Sequence, residues 1–206
     1  MDIFSLAIQH LGVFLLIFIR LIGLFTAAPF FGSRNIPVYA KIGLSLLMAY
    51  ILFPLVFSTS LQVPGTLLPF ILTAVGEVII GLTLGFASSL VFSAIQMAGQ
   101  ILDIQIGFGI VNVIDPQSGQ QVPLVGNFKY LLALMIFLAT NSHHLLIVAL
   151  FSSFKIVPLT GVAINAAGLT QTIIDMVGDT FVIAAKISLP VLAALLITDV
   201  GIGILA

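Results

Sequence analysis

Between Gln96 and Gln121 the chain reads QMAGQILDIQIGFGIVNVIDPQSGQQ, and here a strongly apolar sequence stops following the pattern of a membrane helix. Gln96, Gln100 and Asp103 recur at i, i+4 and i+7, so they share one side of a helix, and that side is unsuited to lipid. Gly107 and Gly109 then bracket Phe108. Without a Cβ on either side of the ring, the backbone is free of the limits of a regular helix or strand, and the ring can be aimed. Asp115-Pro116-Gln117-Ser118-Gly119 follows; a fixed φ at Pro, an Asp that bonds its own backbone and a Gly tolerant of φ > 0 are the ingredients of a tight turn. An apolar tip between glycines, flanked by amides and set between long apolar helices, has the composition of a loop that lines or blocks a passage.

Working outward, 61% of the 206 residues are hydrophobic and 6% charged, with a mean hydropathy of +1.32. Soluble domains are about half apolar and about a quarter charged, so this is a membrane-class composition. Six Lys and Arg and a net charge of -1 leave no basic patch for nucleic acid. Cysteine is absent, which excludes disulfides and thiolate metal sites. Met1-Asp2-Ile3 lacks the positive start of a secretory signal, so the first apolar run is expected to remain in the mature protein. Residues 1–206 read as one domain, since no linker, low-complexity tract or fixed-period repeat divides them.

The first run, Ile3 to Phe31, exceeds the roughly 20 residues that cross a hydrocarbon core. Arg20 lies inside it, where an unmatched charge costs about 3 kcal/mol; it must face a protein neighbour, an aqueous cavity or the interface by snorkelling. Pro29 and Pro37 bound a short polar connection, and a second run, Val38 to Phe57, completes a helical hairpin. By the positive-inside rule, Arg34 and Lys41 place that connection in the cytoplasm.

The third run, Leu67 to Ile106, spans about 60 Å as one helix, twice the hydrocarbon thickness, so it either breaks or projects beyond the bilayer. Within it Glu77, Gly81, Gly85, Ser89 and Ser93 recur every fourth residue. They form a ridge of small or polar side chains that invites close helix packing and drifts about 40° per step. Glu77 needs a partner in such surroundings. Continuing the rotation carries the ridge towards Gln96, Gln100 and Asp103.

A fourth run from Pro123 to Phe151 is interrupted by Asn141-Ser142-His143-His144. Neighbouring histidines on a helix diverge by about 100° and no carboxylate accompanies them, which favours packing over a metal site. Thr160 to Asp179 reads as too polar to span, leaving Thr180 to Ala206 as the last apolar run. Its Lys186 and Asp199 are too far apart on one helix to pair, so each calls for a partner elsewhere.

Taken in order, Phe18-Ile19-Arg20, Pro29-Phe30-Phe31-Gly32, Gly76-Glu77, Gln96-Met97-Ala98-Gly99-Gln100, Asp103, Gly107-Phe108-Gly109, Asp115-Pro116, Asn141 with His143-His144, Ser153-Phe154 and Pro190 with Asp199 resemble the FliR family of type III export-gate proteins over essentially the whole chain. The resemblance implies an all-α membrane protein of broken helical hairpins that joins FliP-like and FliQ-like subunits, and through them the larger export apparatus, in a helical spiral around a channel for unfolded proteins. It implies a place in the bacterial inner membrane and flagellar basal body. It also implies that the loop Ile106, Gly107, Phe108, Gly109, Ile110 and Val111 through Asp115 and Pro116 to Val122 is the plug of that channel, with no catalytic residue, cofactor or metal. Family members extend past the segment around Asp199 with another apolar hairpin, so either the chain is truncated or the tail is absent. A rival from another class is a self-contained secondary transporter with Arg20, Glu77 and Asp103 as its coupling site. An intramembrane enzyme has no nucleophile and base to stand on.

Overall fold

Six helices carry the fold, as described by a computed structural model for residues 3–33, 35–57, 63–108, 113–114, 121–159 and 166–205. They are α1 (Ile3–Ala27), α2 (Val38–Val56), α3 (Leu67–Ile106), α4 (Leu124–Ala139), α5 (Ser142–Ile156) and α6 (Ala166–Leu205). Between α3 and α4 lie two two-residue strands, β1 (Val113–Ile114) and β2 (Gln121–Val122), paired antiparallel with Val113 opposite Val122 and Ile114 opposite Gln121. The protein is all-α apart from that small pairing. α1 from Ala7, α2, α3 and α6 from Gly168 are each long and apolar enough to cross a membrane.

One boundary differs from the sequence expectation, and one open alternative is decided. The third run does not break: α3 is one helix of 40 residues, because no proline follows Pro69 in it to interrupt the hydrogen-bond ladder. The segment expected to be too polar to span joins the last run instead, so α6 continues through Gly178 and Pro190 to Leu205. Thr170, Thr172, Asp175 and Asp179 sit on a surface that the chain does not bury, and a missing N–H at Pro190 removes one bond without ending the helix. Between α4 and α5 the break falls at Asn141, which takes the left-handed conformation (φ 56°, ψ 25°) that Asn tolerates better than most residues.

Contacts group the chain into two compact units, residues 1–89 with 141–169, and residues 90–140 with 170–206. The first has a large core. Val13, Leu16, Ile17, Leu21, Leu24 and Ala28 of the first helix and the turn after it are buried at helical spacing, and Ala49, Leu52, Leu150, Phe154 and Leu159 close over them. The second unit has a small one, built from Ala94, Ala98 and Ala184 with Met97 and Ile187 packed beside them.

Many hydroxyls fold back on their own helix. Ser45 donates to the Lys41 carbonyl (2.7 Å), Thr83 to Ile79 (2.7 Å), Ser88 to Gly85 (2.7 Å), Thr180 to Met176 (2.9 Å) and Thr198 to Ala194 (2.9 Å).

Candidate functional site

In the first unit the polar chemistry gathers at Arg20. The side chain is fully buried in the middle of the apolar stripe of α1, so every donor must be matched. Its Nε donates to Glu77 Oε2 of α3 at 2.5 Å, Nη1 to Ser153 Oγ of α5 at 3.1 Å, and Nη2 to the carbonyl of Val157, just past the end of α5, at 3.1 Å. The guanidinium also lies 4.2 Å from the centroid of the Phe154 ring. Ser153 Oγ in turn donates to the Leu150 carbonyl (2.6 Å). A positive charge at the carbonyl end of α5 also opposes the negative pole of that helix. One guanidinium thus ties α1, α3 and α5 together, and of the options open to Arg20 the structure takes the protein neighbour. Glu77 is as buried as Arg20, and its Oε1 has no hydrogen-bond partner.

Just beyond Glu77 the small-residue ridge is in contact with α1. A Cβ on Gly81 would fall on the Arg20 carbonyl, and one on Gly85 would lie 2.6 Å from the Leu24 carbonyl. Gly23 of α1 answers them from the other side, where a Cβ would stand 3.2 Å from the Gly81 Cα. Close backbone approach of this kind is what small residues at a helix crossing permit. The ridge fades further on: Ser89 is half-buried and bonds the Phe86 carbonyl (2.8 Å), and Ser93 is exposed. The drift of about 40° per four residues turns it out of the contact.

Lys186 and Asp199 are both exposed within the chain, where only 17% of the apolar stretch of α6 is covered by the rest of the molecule.

In the second unit the three polar residues at the end of α3 separate. Gln100 is exposed and Gln96 half-buried, while Asp103 is 4% exposed. Asp103 Oδ1 accepts from the Val125 amide (3.0 Å) and Oδ2 from the Gly126 amide (3.1 Å), both in the first turn of α4. Pro123, at the N-cap position of α4, offers no side-chain cap, so a carboxylate from another helix supplies what a Ser or Asp would supply locally. The fit depends on Gly99 and Gly126, whose backbones approach so closely that a Cβ on Gly99 would fall on the Gly126 Cα. Further along the same seam Phe92 meets Tyr130 and Phe137 edge-on, with ring centroids 6.0 and 5.4 Å apart. Gly126 went unremarked in the sequence; the one signal for it is a Pro-x-x-Gly opening to an apolar run, which is weak on its own.

The loop leaves this base at Gly107, whose φ of +83° is in the left-handed region and around which a Cβ would meet nothing within 4 Å. Ile106 and Phe108 on either side are 43% and 40% exposed. Gly109, Ile110, Val111, Asp115 and Pro116 lie outside the described residues. Among the described residues no three His, Cys, Asp or Glu side chains converge as a metal site, and the His143 and His144 rings lie tilted at 45° to one another with centroids 4.3 Å apart.

Apolar helices of membrane-crossing length and charges spent on fastening one helix to another define a helical membrane protein. The chain belongs to the bacterial export proteins, family 1, whose profile matches residues 11–206. It is 37% identical to the flagellar biosynthetic protein FliR of Bacillus subtilis over 94% of this chain and 74% of that protein. It is 30% identical to FliR of Caulobacter vibrioides over 99% and 80%, and 28% identical to FliR of Escherichia coli over 91% and 70%. Membrane residence, protein export and flagellum biogenesis go with that membership.

Proposed function

We propose that the chain is a subunit of the gate that passes unfolded proteins across the bacterial inner membrane at the flagellar basal body, and that its loop from Ile106 to Val122 plugs the passage. FliP-like and FliQ-like subunits complete the gate. The observation that carries this reading is the start of the loop: a left-handed glycine in open space presents a half-exposed Phe108 above a seam fastened by Asp103. Apolar side chains crowded into a narrow passage exclude water and ions without any catalytic group. Assembly with partners is supported by α2, where Tyr39 and Tyr50 are 88% and 74% exposed and Leu46, Leu47, Ile51 and Leu55 stand out beside them. The transporter reading loses ground because Arg20 and Asp103 are already committed to structural partners.

Deleting Gly107 to Gly119 tests the reading. The helices should still assemble with their partners, and the membrane should become leaky to ions and small solutes. Recovery of an assembled but tight complex would remove this loop as the main barrier. Loss of assembly without leak would make it a structural loop instead.

A further inference from the structure

The described residues at the base of the loop form a seam whose parts all serve one end. Asp103 is nearly buried and gives both carboxylate oxygens to consecutive amides of α4. It meets the positive pole of α4, where a negative charge is favoured, and it does so from α3, at the point where a local cap is missing. Gly99 and Gly126 bring the two backbones to contact; a Cβ on Gly126 would stand 3.1 Å from the Gln96 carbonyl and 3.4 Å from the Gln100 nitrogen. Phe92, Tyr130 and Phe137 interlock on the far side of that contact. Parting α3 from α4 would expose two buried amides and a buried carboxylate together and open a contact too tight for anything but backbone to fill. After Ile106 the helix ends at Gly107, whose backbone is left-handed.

We propose that Asp103 is a positioning residue that keeps α3 and α4 locked at the base of the loop while substrate passes, so that the α3–α4 seam is a fixed wall of the passage and not one of its moving parts. This rests on the gate reading given above and adds to it where motion does not occur. Opening by separation of α3 from α4, as in a rocking transporter, is the mechanism it denies.

The chain contains no cysteine, so thiols can be placed across the seam without background. In the assembled complex in cells, F92C with Y130C bridged by a short bifunctional thiol reagent should export at a rate within about twofold of the same variant without reagent, since bridging a fixed seam adds no barrier. A tenfold or larger loss on bridging overturns the proposal. Asp103→Ala should be recovered with its partners yet leak small solutes, with Asp103→Asn between it and the parent, because Asn keeps one acceptor of the two. An assembled Asp103→Ala complex that seals and exports like the parent also overturns it. Should Asp103→Ala not be recovered, the bridging measurement decides alone. The loop deletion separates the two readings: an assembled, tight deletion complex refutes the plug, whereas a leaky deletion complex with export blocked by the bridge refutes only the fixed seam.

Discussion

The two units of the chain are held together by opposite means. The first buries a dozen apolar side chains around one ion pair, and it would survive modest damage to its apolar surface but not to that pair. The second buries Ala94, Ala98 and Ala184 with Phe92 and Leu102 and relies on backbone contact at Gly99 and Gly126, with Asp103 as its polar fastener. At about 25 cal/mol per Å², alanines contribute little each, so close fit carries a larger share of the order of the second unit.

The comparison breaks most readily at Glu77. Glu77→Leu strands a buried guanidinium and should destabilise the first unit by about 3–5 kcal/mol, read as lost recovery of folded protein, while Glu77→Leu with Arg20→Leu should regain most of it. If the single variant is recovered normally with its partners, the pair does not hold this unit. Next in size, Gly81→Leu or Gly85→Leu should push α1 off α3 at roughly 1–3 kcal/mol. Complex stability would fall before membrane insertion does, and unchanged melting of both variants would show that the crossing is looser than its geometry. Ser153→Ala removes one donor-matched contact to Arg20 and should cost roughly 1.5 kcal/mol, visible as a lower midpoint in thermal unfolding in detergent. The smallest effect sharpens the contrast from the other side: Lys186→Ala and Asp199→Asn should shift the melting of the isolated chain by no more than about 0.5 kcal/mol, since neither residue is buried in it. A strong defect confined to the assembled complex would place their partners on another subunit.

How far the sequence went is seen in particular residues. Helices were legible because apolar runs of this length leave few other solutions, and Glu77, Gly81 and Gly85 were legible because a four-residue period marks one face of a helix. The partner of Glu77 was not, since Arg20 lies 57 positions away and periodicity carries no information between helices. Asp103 was placed on the right helix, but its role depends on Pro123 failing to cap α4, a relation between two elements that neither shows alone. The start of α6 was misjudged because polar residues were weighed as if they had to be lipid-facing, when a long helix carries them on a surface open in the single chain.

The hydroxyls turned back onto their own helices bear on how the protein is made. A Ser or Thr whose proton is already given to a carbonyl three or four residues earlier presents an apolar methyl or methylene outward and asks nothing of a neighbour. These hydroxyls are therefore satisfied in an apolar medium before any other helix arrives, which suits insertion first and association afterwards. Arg20 and Glu77 depart from this pattern, and they make the second stage of biogenesis obligatory: a nascent chain whose α1 has entered the bilayer carries an unanswered charge until α3 and α5 have been synthesised, so the order of translation is also a waiting time during which the chain is open to quality-control proteolysis.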